Sequence, residues 1–261
     1  MNYSVENRWG GEDKPFHPGG LWVLGDRCGQ GIIEIDITSK NDGKSFEGHV
    51  TYAGEGQIGF KAQHIIGFSY QVEYSWGGTD GHKGGSWVIG QRVGQPCIAL
   101  NVKSTDGGKI LSGTCTYKGE GPIAFLGKAG LQDSNRTIAR WGGVNEPWHD
   151  GGVMVVSSRS TQAVESLDIK SSDKGKTFTG SMVYQHEGPI AVKCTYIMGN
   201  TYSVENRWGG DKAPWHNAGL WLIGGRDEQR AELLNVSASP LTGKTQYIGE
   251  GEISIVLEPQ C

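Results

Sequence analysis

Nowhere in its 261 residues does the chain approach the ~18 consecutive apolar residues that a membrane-spanning helix needs. It also lacks an excess of positive charge: 24 Lys and Arg stand against 28 Asp and Glu, for a formal net charge of −4. With no basic stripe to neutralise phosphates, neither nucleic acid nor membrane insertion is expected. The N-terminal Met-Asn-Tyr-Ser-Val-Glu-Asn has neither the basic nor the apolar region of a secretory leader, so the expected location is cytoplasmic. Release or cell-surface association would then follow a non-classical route. Cysteine is scarce and unpatterned. Cys28, Cys97, Cys115, Cys194 and Cys261 sit at non-equivalent places and form no Cys-x-x-Cys pair, which argues against a disulfide framework or a zinc site and predicts free thiols. Gly-x-Ser-x-Gly, Walker and His-Glu-x-x-His signatures are absent, as is any repeated Asp/Asn cage for calcium. No cofactor and no metal are expected.

What the chain has in abundance is glycine, 43 residues of it, and a repeat. Trp-Gly-Gly occurs at Trp9, Trp76, Trp141 and Trp208, so a module of about 65 residues was copied four times. The first and last copies both read Tyr-Ser-Val-Glu-Asn-Arg-Trp-Gly-Gly, at residues 3–11 and 202–210. In the first copy, Tyr3–Trp9 is extended and Gly20–Arg27 is a second apolar run. Ile33, Ile35 and Ile37 then alternate with Glu34 and Asp36. The turn Asn-Asp-Gly-Lys at 41–44 precedes Ser45–Tyr52, and Gly-Glu-Gly precedes Gln57–Gln63. Asp106-Gly107-Gly108-Lys109 and Asp173-Lys174-Gly175-Lys176 repeat that turn, whereas the fourth copy is four residues shorter and has Ser-Pro-Leu-Thr-Gly there.

The class is therefore all-β, with five strands per module. The equivalent residues Ile35, Leu100, Leu167 and Leu234, and Ile37, Val102, Ile169 and Val236, are core, as are Trp22, Trp87 and Trp221 with Met154 at the remaining place. Five strands cannot close around a useful core, but ten can form a barrel without exposed edges. Two tandem ten-stranded antiparallel barrels are expected, in preference to a four-bladed propeller. The first covers 1–133 (repeats 1–67 and 68–133) and the second 134–261 (repeats 134–199 and 200–261), with a boundary near 131–136.

Each Trp-Gly-Gly is followed by an arginine and then a loop glutamate: Arg27 and Glu55, Arg92 and Glu120, Arg159 and Glu187, Arg226 and Glu250. Charged residues held in glycine-rich loops are candidate ligand contacts. Their chemistry suits a sugar, since an indole covers the apolar C–H patch of a pyranose while Arg donates and Glu accepts at the hydroxyl rim. Glycines let backbone N–H groups approach closely. The plainer reading is a packed turn with a surface ion pair worth roughly 0–1 kcal/mol. The equivalent histidines His17, His149 and His216 read as loop hydrogen-bonders rather than metal ligands. Asn-x-Ser/Thr sequences begin at Asn2, Asn135 and Asn235 and carry no weight without a secretory leader.

The nonapeptide, with Pro-Trp-His, Gly-Leu-Trp, Asp-Gly-Gly-Lys and Gly-Glu-Gly-Pro-Ile, closely resembles the Oscillatoria agardhii agglutinin-like lectins over essentially the whole chain. The resemblance implies a ten-stranded barrel per pair of repeats and metal-free recognition of the branched mannose core of high-mannose N-glycans and the glycoproteins carrying them. It also implies two sites per barrel, each made from two repeats. Carried over, Trp9, Gly10 and Gly11 join Arg92 and Glu120, and Trp76, Gly77 and Gly78 join Arg27 and Glu55. In the second half, Trp141, Gly142 and Gly143 join Arg226 and Glu250, and Trp208, Gly209 and Gly210 join Arg159 and Glu187. Where the family usually has Gln before the Trp, this chain has Arg8, Ser75, Arg140 and Arg207. The third repeat departs most, with Ile138 and Ala139 before its Trp-Gly-Gly and His186 in place of a loop glycine, so the second half should hold the weaker sites.

A glycoside hydrolase would need two carboxylates per site, and each module repeats one. A protein-binding scaffold would be favoured if the Trp side chains were buried. Nothing in the sequence sets an oligomeric state.

Overall fold

In the computed structural model of the chain the described residues are 1–77, 79–130, 134–159 and 162–260. Gly78, Cys261 and residues 131–133 of the expected boundary lie outside them. The chain divides into two compact units, Met1–Gly130 and Leu131–Gln260. Every regular element among the described residues is a strand. The first unit holds β1 (Asn2–Arg8), β2 (His17–Val23), β3 (Ile32–Thr38), β4 (Ser45–Tyr52), β5 (Gln57–Ile66), β6 (Ser69–Trp76), β7 (Thr79–Val88), β8 (Cys97–Lys103), β9 (Ile110–Tyr117) and β10 (Ile123–Ala129). The second holds β11 (Asn135–Arg140), β12 (His149–Met154), β13 (Val164–Ser171), β14 (Thr177–Tyr184), β15 (Ile190–Met198), β16 (Thr201–Arg207), β17 (His216–Leu222), β18 (Ala231–Ser237), β19 (Leu241–Tyr247) and β20 (Glu252–Pro259).

One departure from simple alternation lies at the start of the third strand of every copy. Ile33 is only half-buried, because the pairing of β3 with β4 shifts between Ile32 and Glu34. This bulge turns Ile32 inward along with Ile35 and Ile37, and the same shift recurs in β8, β13 and β18. Trp22, Trp87, Trp221 and Met154 are fully buried, and Trp22 packs edge-on against Phe125 at 5.2 Å. Cys28, Cys97, Cys115 and Cys194 are free, and burial pushes the Cys115 thiol up to about 12.

The first unit is a closed barrel in the order β1-β10-β9-β8-β3-β4-β5-β6-β7-β2. Its two repeats are not side by side. The first two strands of each repeat leave their own β3–β4–β5 or β8–β9–β10 meander, so that β1 pairs with β10 and β6 with β5. The meanders join along β3 and β8, where Ile35 faces Val102 and Ile37 faces Leu100 about a centre at Asp36 and Asn101. The seam between β2 and β7 is a single pair, Val23 with Val88.

The second unit has the same exchange, in the order β12-β11-β20-β19-β18-β13-β14-β15-β16-β17. The expectation of a second closed barrel needs correcting: this is a curled ten-stranded sheet whose edges are bridged, among the described residues, by the isolated backbone pair Val155 and Leu222. The two seams differ only in degree: Val23 and Val88 are one pair inside β2 and β7, whereas β12 stops at Met154 and the one pair that bonds across, Val155 with Leu222 at 3.0 and 3.1 Å, falls just past its end.

One glycine per repeat makes the close strand approach possible. A Cβ on Gly48, Gly113, Gly180 or Gly243 would lie 1.9–2.1 Å from the carbonyl oxygen of Asp36, Asn101, Asp168 or Asn235 on the neighbouring strand. Gly48→Ala should therefore destabilise the first unit by about 1–3 kcal/mol or more in urea unfolding, as overpacking against backbone does. Gly56→Ala, with open space around it, should be close to neutral.

Candidate functional site

Each arginine of the repeated pairs is held on three sides. Its guanidinium stacks on a buried tyrosine ring, at 4.3 Å for Arg27 on Tyr52, 4.0 Å for Arg92 on Tyr117, 4.3 Å for Arg159 on Tyr184 and 4.2 Å for Arg226 on Tyr247. Nη1 donates to the glutamate at 2.6 Å for Glu55, 2.9 Å for Glu120, 2.6 Å for Glu187 and 2.6 Å for Glu250. It also donates to a glutamine three residues on: Gln30, Gln95, Gln162 or Gln229. The glutamine amide turns back to a carbonyl of the turn that carries the glutamate, such as Ala53 at 2.9 Å and Lys118 at 3.1 Å. In the first three copies it reaches the carboxylate as well, at 3.1, 3.0 and 3.1 Å.

The glutamate turn is closed by its own amide, which donates to the tyrosine carbonyl three residues back at 2.9–3.0 Å. The preceding residue takes a positive φ, 82° at Gly54, 83° at Gly119 and 80° at Gly249, as the third position of a type II turn requires. His186 occupies that position at φ 66°, so it is strained where the other copies are not. The carboxyls sit below the usual glutamate range. Hydrogen bonds from Arg27, Arg159 and Arg226 are the main cause for Glu55, Glu187 and Glu250, and the bond from Gln95, followed by Arg92, for Glu120.

The Trp-Gly-Gly loops present the indoles outward: Trp9, Trp76, Trp141 and Trp208 are 43–52% exposed. Both glycines take positive φ in the first, third and fourth copies, from 82° at Gly10 to 125° at Gly143, and Gly77 does so in the second. Nothing lies within 4 Å of where a Cβ would stand on Gly11, Gly77, Gly143 or Gly210, so it is conformation that demands glycine there, and the space beside it is open. The departing arginines have a task of their own. Arg8, Arg140 and Arg207 lie over Phe16, Trp148 and Trp215 at 4.5–4.8 Å and donate to the carbonyls of Glu12, Val144 and Asp211, fastening the long loop.

The histidines act differently from expectation. His17, His149 and His216 stack flat on Trp9, Trp141 and Trp208 at 4.4–4.7 Å. His82 does the same to Trp76 at 4.0 Å. One face of each indole is thus covered by an imidazole. His82 escaped the sequence reading because its loop is shorter, and Tyr and Gln because single residues at constant offsets look like core and loop filler. The offsets were there to be seen: Arg-x-x-Gln and Tyr-x-x-Glu occur in every copy.

The exchange of strands decides which loop meets which arginine. Arg92 lies 5.6 Å from the Trp9 ring and Arg27 5.9 Å from the Trp76 ring. A groove of about 470 Å³ is lined by Arg27, Glu55 and Trp76, and one of about 390 Å³ by Arg159, Glu187 and Trp208. For the fourth place, Arg140 pairs with Ser254 on β20 as Arg8 pairs with Ala124 on β10, which brings Trp141 out beside the turn carrying Glu250. No two members of these groups come from the same repeat across the Trp to Arg gap.

With that geometry in place, comparison with known proteins identifies the kind of domain. The model of the OAA-family lectin sugar binding domain matches residues 1–65, 68–130, 135–197 and 200–255, and the chain belongs to this family. The myxobacterial hemagglutinin of Myxococcus xanthus is 46% identical over 257 residues, 96% of this chain and 96% of that protein. The crystal structure of the Myxococcus xanthus hemagglutinin in complex with a3,a6-mannopentaose superposes with a TM-score of 0.96 at 44% identity, covering 99% of this chain and 100% of the other. The Burkholderia oklahomensis agglutinin gives a TM-score of 0.93 at 44% identity, over 99% of this chain and 94% of its own.

Two outcomes follow. His186→Gly should raise the stability of the second unit by up to about 1 kcal/mol, measured by denaturant unfolding, since it removes the left-handed strain and adds back only some unfolded-state entropy. The depressed carboxyls set the acid limit of the sites. A glutamate whose folded pKa is lowered contributes fully above its unfolded value of about 4.3, and its contribution is lost as pH falls through the lower folded value. Carbon-detected NMR titration should therefore place the Glu55 midpoint below the ordinary range, and Arg27→Ala should bring it back.

Proposed function

We propose that the protein is a multivalent, metal-independent lectin for high-mannose oligosaccharides and the glycoproteins that carry them, with up to four sites. The observation that carries the reading is the fourfold repetition of an exposed indole, backed on one face by imidazole, beside an arginine that cannot swing away. The open indole face takes the C–H patch of a mannose ring. The arginine, already desolvated on its tyrosine and paired with glutamate, donates to hydroxyls, and the remaining glutamate lone pairs accept. The sites are Trp9, Gly10 and Gly11 with Arg92 and Glu120; Trp76, Gly77 and Gly78 with Arg27 and Glu55; Trp141, Gly142 and Gly143 with Arg226 and Glu250; and Trp208, Gly209 and Gly210 with Arg159 and Glu187. A relative solved with mannopentaose bound supports a branched mannose ligand.

The glycosidase alternative fares poorly on chemistry. A general acid needs a carboxyl whose pKa is raised toward neutrality, and each repeated glutamate here is lowered by its arginine and glutamine partners. Mannose oligosaccharides should be returned uncleaved, and binding should survive EDTA. We further propose that the second unit holds the weaker pair of sites, on account of His186 beside Glu187 and of Ile138 and Ala139 before Trp141.

Titration of mannopentaose into the full chain, followed at the four exposed indole N–H signals by NMR, tests the reading site by site. Arg92→Ala should weaken the site reported by Trp9 about ten- to a hundredfold, the worth of a charged hydrogen bond, and leave Trp76 unchanged. Loss at Trp76 instead would show that each module carries its own complete site. Signals of Trp141 and Trp208 that saturate no later than those of the first unit would refute the asymmetry.

A further inference from the structure

In three places a tyrosine of the first strand reaches across to a hairpin of the partner repeat and closes one end of the unit. Tyr3 donates to the carbonyl of Gly108 at 2.9 Å, Tyr70 to that of Gly43 at 2.7 Å and Tyr202 to that of Gly175 at 2.8 Å. Each hairpin is tightened by a serine, Ser104, Ser39 or Ser171, whose hydroxyl accepts from the amide of the same glycine. The fit is close: a Cβ on Gly31 would lie 1.9 Å from the carbonyl oxygen of Gly107.

The fourth place departs in every part. Asn135 stands where the others have tyrosine, Ala238 where they have serine, and the hairpin is four residues shorter. Ala163 stands at the place held by Gly31, Pro96 and Arg230 in the other copies, and it borders the space that the shortened hairpin leaves. Asn135 belongs to the third repeat and the hairpin to the fourth, yet strand exchange brings them to one spot. In space these are a single concerted change. It leaves an open-sided cavity of about 340 Å³ bordered by Asn135, Val164, Leu241 and Leu257 on one side and by Arg159 and Gln162 on the other. The side chain of Asn135 makes no hydrogen bond among the described residues.

We propose that this cavity is a binding site for a small hydroxylated aromatic molecule, a phenol of the kind that the chain itself supplies at the other three ends. The volume exceeds the roughly 150 Å³ of a dry cavity that accepts benzene, so a substituted ring fits. Val164, Leu241 and Leu257 offer apolar walls to the ring faces, and the Asn135 amide offers both a donor and an acceptor to the hydroxyl. Arg159 and Gln162 of the Trp208 site form its far wall, so the phenol would sit behind that arginine rather than on the indole.

The test titrates 4-methylphenol into the full chain with Ala, Val and Leu methyl groups labelled. Saturable shifts at Ala163, Val164 and Leu257, with none at Leu111 in the first unit, are expected, and toluene should bind about tenfold more weakly for want of one hydrogen bond. Asn135→Tyr refills the space and should abolish the shifts without lowering the melting temperature. Should that variant fold poorly, Leu241→Trp narrows the same cavity from the hairpin side and serves the same purpose. Absence of saturable shifts, equal binding by the refilled variants, or equal affinity for toluene would overturn the proposal.

Discussion

The exchange of the first two strands between paired repeats is the constraint on which the rest of this molecule depends. Because β1 pairs with β10 and β6 with β5, a loop that leaves β1 comes down beside turns that belong to another repeat. Composite sites are then a matter of topology rather than of any attraction between tryptophan and arginine. The joint between meanders, with Ile35 against Val102 and Ile37 against Leu100, makes the arrangement symmetric within the first unit, and Leu167 against Val236 with Ile169 against Leu234 does so in the second.

Within each site the arginine–glutamate pair would count for little by itself. An exposed ion pair is worth roughly 0–1 kcal/mol and gives up side-chain entropy to form. Here the entropy is lost during folding, because the guanidinium lies on a buried tyrosine and is tied to a glutamine that is itself anchored to the turn. The pair contributes little to holding the protein together and much to having its donors already aimed. The histidine on the back of each indole has the same character: it restricts the ring before any ligand arrives.

Much of this was legible in the sequence, and for a definite reason. Four copies turn weak patterns into strong ones, so the strands, the buried Ile35 and Ile37 positions, and the Trp, Arg and Glu that the fold brings together at each candidate site could be read by superposing the chain on itself. The register of Ile33 could not, because a bulge depends on the partner strand and not on local alternation. Closure of the second unit was equally hidden, since it turns on whether one residue pair, Val155 with Leu222, falls inside a strand or just past its end. Tyr52 and Gln30 belong to the site only through contacts that span 23 or more residues, and their residue types carry no mark of a ligand site. His82 was missed because two residues had been lost from its loop.

The strand exchange also sets the smallest piece of this chain that could be inherited or discarded intact. A chain stopped after the first module would keep Trp9 but not Arg92, and Arg27 but not Trp76, while Val23 would have no Val88 to meet. One module is a half-site twice over with an open edge, whereas two make a finished unit. Candidate sites in such a chain therefore come in pairs, and a lone module stays incomplete until it meets a second copy.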